Sequence, residues 1–194
     1  MSQDLTQILQ DWPFEGGQLV TRLVPGDDGE PRLQVRVELG ILQMYLDGRP
    51  DGERPFGQLS LLDHFEQQLD QAEAEAESGP DHDEPGAVAG PGAGRPEKFS
   101  LSADDCRMLR EEAAQYYQRY IALMTLEDFE RVVRDTTRNL RVLELCRRHA
   151  QNEDDRTVLE KFRANGGRVT TARREIVSVV LGGTEHEQAQ AGEK

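Results

Sequence analysis

Cysteine is nearly absent, two in 194 residues, which is too few for a disulfide framework. Cys106 and Cys146 fall on the apolar faces of expected helices, where a small thiol packs well and stays reduced in a reducing cytosol. Aromatic residues make up only 6% of the chain, and no apolar run approaches the ~18 residues that a membrane-spanning helix needs. The start MSQDLTQILQ lacks a basic region followed by an apolar core, so no secretory signal is expected and cytoplasmic residence is the default reading. Lys and Arg number 23 against 37 Asp and Glu, a net charge of −14, which argues against general affinity for nucleic acid, since phosphate binding is driven by Lys and Arg.

Chemistry-bearing patterns are equally sparse. Gly90, Gly92 and Gly94 have no Gly-Lys-Ser/Thr ending and no strand before them, so they form no phosphate loop. His82 between Asp81 and Asp83 is a single imidazole in a tract that preorganises no metal geometry, and no His/Cys/Asp cluster has metal spacing. His64 and His149 lie on expected helices without a nucleophile in matching register. The expectation is a non-enzymatic protein with no catalytic residue, no metal and no cofactor.

What the chain does contain is periodic pattern. Residues 2–11 suit a short helix through Leu5, Ile8 and Leu9, ending before Trp12-Pro13-Phe14 because proline disfavours helix in its predecessor. Trp12 and Phe14 suit either cover for a local core or an exposed anchor. Gln18 to Val24 is β-rich, and Pro25-Gly26-Asp27-Asp28-Gly29-Glu30 is a hairpin turn. Leu33, Val35, Val37 and Leu39 then alternate with Arg32, Gln34, Arg36 and Glu38. After Gly40 a third strand runs from Ile41 to Asp47 with Leu42, Met44 and Leu46 on one face. Asp47-Gly48-Arg49-Pro50-Asp51-Gly52 reads as turn chemistry. Ser60 can cap a helix whose stripe of Leu62, Phe65, Leu69 and Ala72 is expected to cover the sheet.

From Ala72 the composition turns acidic and then Gly-, Pro- and Ala-rich, so a flexible linker is expected over residues 77–98. Beyond it the charge is close to balanced and arginine-rich. Ser102 is a candidate N-cap for a helix with Cys106, Leu109, Ala113, Tyr116, Tyr117, Tyr120, Ile121 and Met124 on one face. Thr125 can cap a second, with Phe129, Val132, Val133, Thr136, Leu140, Leu143 and Cys146 as its buried stripe. Further helical pattern runs through Val158, Leu159 and Phe162, is interrupted at Gly166-Gly167 and resumes from Val169 to Val180; the tail from Gly182 is polar. The expected organisation is α+β: a small antiparallel sheet with a covering helix in 1–76, a linker, a helical hairpin domain in 99–181, and a disordered tail in 182–194.

Arg131, Arg134, Arg138 and Arg141 form a stripe expected on the outer face of the second hairpin helix, where it is either solvated, paired within the chain, or a partner-binding surface for an acidic protein or a phosphate backbone.

Tyr116, the Leu126-Glu127-Asp128-Phe129 turn and Val132 resemble the helix–turn–helix of a tetratricopeptide repeat, of which one unit is visible. The strand pair carrying Leu39-Gly40-Ile41-Leu42-Gln43-Met44, the following Asp47 to Gly52 loop, Tyr116 to Tyr120 and Asp128 to Arg141 together resemble an uncharacterised bacterial family labelled UvrB/UvrC motif-containing. In that motif a helical hairpin with Asp-Phe-Glu, matched by Asp128-Phe129-Glu130, serves protein–protein contact between repair subunits. The resemblance implies an adaptor associated with DNA excision repair. A nucleic-acid-binding accessory protein using the arginine stripe is the alternative.

Overall fold

The alternation around Leu33 and Val35 produces the central strand of a three-stranded antiparallel sheet, β1 (Thr21–Pro25), β2 (Pro31–Val37) and β3 (Gly40–Tyr45), in that spatial order. The computed structural model describes residues 4–77 and 98–157. Leu23, Leu33 and Met44 share one cross-strand row, and Thr21, Val35 and Leu42 the next, so the two-residue period gathers the apolar side chains on one face. Leu33, Val35, Met44 and Leu46 are buried there, whereas Leu39 is 91% exposed because it sits in the β2–β3 turn, past the last paired residue of β2.

The opposite face is less open than its polar residues suggest. Arg32 and Arg36 are buried on it. Arg36 donates to the carbonyls of Trp12 at 2.6 Å and Gly40 at 2.9 Å, and the Arg22 guanidinium stacks 3.9 Å from the centre of the Trp12 ring. The short helix α1 (Thr6–Asp11) and Trp12 therefore reach the sheet through these arginines.

Helix α2 spans Leu61–Glu77, α3 Ala103–Thr125 and α4 Phe129–His149. At the start of α3, Ser102 and Asp105 form a reciprocal capping box. The cap of α4 is Asp128, whose carboxylate accepts from the Arg131 N–H, in place of Thr125. Thr125 remains inside α3 and exchanges a 2.6 Å hydroxyl contact with Thr21.

The cover of the sheet also differs from the sequence expectation. Leu61, Leu62 and Phe65 of α2 pack with Leu101, Cys106, Leu109, Val142, Leu145, Cys146 and Ala150, at the open end of the α3–α4 hairpin. The sheet is covered by the other end of that hairpin, through Ala122, Leu123 and Val132. The physical reason is length. A helix of 23 residues is about 35 Å long at ~1.5 Å per residue, enough to take α2 at one end and the sheet at the other. The segments expected to fold as separate parts thus share both hydrophobic clusters, and the α+β class stands. Residues 78–97 of the expected linker, the expected elements from Val158 onward and the tail lie outside the described residues. Among the described residues no helix is long and apolar enough to cross a membrane.

Candidate functional site

Leu109, Glu112, Tyr116, Arg119 and Leu123 succeed one another on α3 in steps of three and four, which is one helical stripe, and all five are buried. Two of them are charged. The facing stripe of α4 contains buried Asp135 and Arg138. Burying charges this completely requires partners, and the chain supplies them from three directions.

Arg119 is 0% exposed and bonds Asp135 with both arms of its fork, Nε to Oδ2 at 2.7 Å and Nη2 to Oδ1 at 2.8 Å. Its Nη1 donates to the carbonyls of Tyr45 and Gly48, each at 2.9 Å, so one side chain of α3 ties α4 to the end of β3. That geometry depends on a tight loop. Gly52 lies at φ +79, and a Cβ there would meet the Tyr45 ring at 2.4 Å, so no larger residue fits without displacing it.

Glu112 forms the second centre. It is 1% exposed; its Oε2 accepts from the Leu61 N–H at 2.8 Å, placing a carboxylate at the positive N-terminal end of α2. Arg138 is ion-paired with it, and Arg49 Nε lies 3.8 Å from it. The Tyr116 ring stands between the two centres, with the Arg119 guanidinium 4.7 Å and the Arg138 guanidinium 4.1 Å from its centroid.

Of the four arginines singled out in the sequence, Arg138 lies inside this seam, whereas Arg134 and Arg141 stay exposed along its edge and Arg131 is half-buried. Arg138 is 8% exposed, a correction to its expected outward position. The reason is chemical: Glu112 and Tyr116 of α3 give its guanidinium a carboxylate and an aromatic face, while Val133 turns outward at 36% exposure. Arg134 donates to the Leu46 carbonyl at 2.6 Å and to Asp135 at 3.0 Å, and is ion-paired with Asp47. Arg131 bonds Asp128 at 2.7 Å and lies 3.6 Å from Asp47. Arg141 binds Glu66 of α2 through Nε at 2.9 Å. The stripe runs from the end of β3 to α2 and fastens α4 to both.

Burial pushes the Arg138 guanidinium down to about 10, helped by Arg141 and Arg49, although Asp63 and Glu66 oppose the shift; at neutral pH it remains charged. Burial also raises the Tyr116 hydroxyl to about 12. For Asp47 burial acts upward, but the hydrogen bond and charge of Arg134, with Arg131 adding to them, hold the carboxyl below its ordinary value.

Cys106 and Cys146 are buried, free and packed in the same hydrophobic cluster. Burial raises both thiols, Cys146 to about 12, so their thiolate forms are scarce at neutral pH. Among the described residues no group of three or more His, Cys, Asp and Glu side chains is placed to hold a metal ion.

Glu112, Arg119 and Asp135 carry the seam and were not singled out by sequence reading. Their signal was present for the first two: charges at 112 and 119 fall in phase with Leu109, Tyr116 and Leu123. The chain as a whole matches no family model, no curated protein and no solved structure.

Proposed function

We propose that the protein is a non-enzymatic protein–protein interaction module, an adaptor whose docking surface is the outer apolar face of the α3–α4 hairpin. The observation carrying this reading is an inversion of the usual helix. Asp135 and Arg138 of α4 are used inward, while Tyr117 at 53% exposure, Met124 at 39% and Val133 at 36% stand outward, with Ile121, Phe129 and Leu140 half-buried beside them. Ala114, Tyr117, Ile121 and Met124 on α3 follow the three-and-four spacing of a helix seam, and Phe129, Val133 and Leu140 on α4 recur at steps of four and seven. Such a pair of stripes suits a partner helix laid along the groove. The resemblance of this hairpin to the UvrB/UvrC contact motif supports the same reading and extends it to an association with excision repair.

A phosphate backbone would have to draw on Arg131, Arg134, Arg138 and Arg141, whose guanidiniums are already engaged with Asp47, Asp128, Asp135, Glu112 and Glu66. This favours the adaptor over the nucleic-acid alternative.

The test is capture from native cells with the full chain, run beside Tyr117→Asp and Val133→Asp variants. A protein retained by the unaltered chain and lost from both variants supports the adaptor reading. Capture indifferent to both substitutions, or salt-sensitive retention of DNA or RNA alone, overturns it.

A further inference from the structure

Leu5, Ile8, Leu9 and Trp12 recur at the three-and-four spacing of a short helix with one apolar stripe. The segment folds as α1, where the Asp4 carboxylate accepts from the Thr6 N–H at 3.0 Å and the Gln7 side chain donates to Asp11 at 2.9 Å. None of its six residues is buried. What holds it is Trp12, whose carbonyl accepts from Arg36 and whose ring is covered by Arg22. A helix this short is marginal without packing; α1 is tethered at its C-terminal end while Leu5 and Ile8 stay exposed.

The same arginine gathers further apolar surface. The Arg36 guanidinium donates to the carbonyls of Trp12, Val37 and Gly40, and the Arg36 backbone N–H donates to the Val20 carbonyl at 2.9 Å. The Trp12 turn, the end of β2 and the residues before β1 therefore meet at one end of the sheet. Leu5, Ile8, Phe14, Leu19, Val37 and Leu39 belong to these segments, each at least 40% exposed, and clustered exposed apolar side chains mark an interaction site. The charges open to solvent beside them share one sign. Asp11, Glu15 and Glu38 are exposed, whereas Arg22 and Arg36 are turned to Trp12, and residues 4–17 contain no Lys or Arg. Such a surface complements an apolar groove with a cationic rim and is repelled by anionic lipid and by phosphate backbones.

We propose that α1 and Phe14 form a second docking surface, which inserts into an apolar groove rimmed by Lys or Arg on another protein. It reaches the sheet on the face opposite the hairpin, and so goes beyond the reading given above: with two separate surfaces the adaptor bridges two partners.

Photo-crosslinking of the full chain tests it. With benzoylphenylalanine in place of Ile8, irradiation in native cells should join the chain to a second protein, within an apolar segment that bears Lys or Arg, as read by mass spectrometry of the joined peptides. Leu5→Asp should lower the yield at least about tenfold, because a carboxylate would have to enter an apolar site. Asp11→Lys combined with Glu15→Lys should lower it at least about tenfold as well, through like charges facing the rim. Amide protection at Leu33 and Leu123 checks that the fold is kept. The proposal is overturned if no product forms, if the product joins an acidic segment or a second copy of this chain, or if the yield ignores either set of substitutions. Trp12, the chain's single tryptophan, should keep its emission when phosphatidylglycerol vesicles are added; a blue shift would assign the stripe to a membrane surface and overturn it too. Tyr117→Asp separates this surface from the hairpin. A crosslink retained in that variant while partner capture ignores Tyr117 would sink the hairpin reading alone, and no crosslink with capture through Tyr117 intact would sink this inference alone.

Discussion

The inner and outer faces of the α3–α4 hairpin differ in a way that reverses the usual rule. The inner seam buries Glu112, Arg119, Asp135 and Arg138, all under 10% exposed, while the outer face leaves Tyr117, Met124 and Val133 at more than a third of their free surface. Apolar burial normally decides which way a helix turns. Here the decision is shared with a set of charges that meet their opposite partners only when the hairpin, the end of β3 and the start of α2 are all in place. Such a seam specifies one arrangement strongly even though its net stabilisation is modest, because each desolvated charge is costly without its partner.

The sharpest way to break the comparison is to orphan one of those charges. Asp135→Ala leaves Arg119 buried with its two carboxylate bonds removed and takes a partner from Arg134. Removing one member of a buried pair costs about 3 to 5 kcal/mol, so denaturant unfolding should show the variant close to or past the limit of a stable domain.

A somewhat smaller loss is expected at the other end of the hairpin. Leu62 is 0% exposed and packs among α3 and α4 residues, so Leu62→Ala should cost about 2 to 5 kcal/mol. The informative measurement is where the loosening is felt. Amide exchange should quicken around Cys106, Leu109 and Val142 more than around Leu33 and Met44. The opposite pattern would put α2 on the sheet, as its sequence alone suggests.

That contrast shows how much the sequence made legible. Period-two alternation located β2 and β3, a β-rich run before a hairpin turn located β1, and the three-and-four spacing located α2, α3 and α4, because such local patterns follow from backbone geometry. The α+β class followed from them. What the pattern could not decide was which of two faces of α4 turns inward. Phe129, Val133 and Leu140 form a respectable apolar stripe, and only Glu112 and Tyr116, on another helix, make Arg138 a better occupant of the interior. Pairings between residues far apart in the chain leave no periodic trace. The same holds for Arg119, whose hydrogen bonds to Tyr45 and Gly48 bridge more than seventy positions.

At the edge of the seam the effect should shrink. Arg141 holds Glu66 but is more than half exposed, and such pairs contribute about 0 to 1 kcal/mol. Arg141→Ala should therefore shift the unfolding midpoint only slightly, and less so in high salt, where the pair is screened.

Arg138→Ala is the most direct test of the inward seam, since it stands one turn from Arg141 on the same stripe and differs from it mainly in burial. Equilibrium denaturation of the full chain should place Arg138→Ala about 3 to 5 kcal/mol below the unaltered protein, because Glu112 loses its closest cation in a buried site. A midpoint indistinguishable from that of Arg141→Ala, within about 0.5 kcal/mol, would mean that the arginine stripe faces solvent and that the charged seam does not hold the hairpin to the sheet and α2.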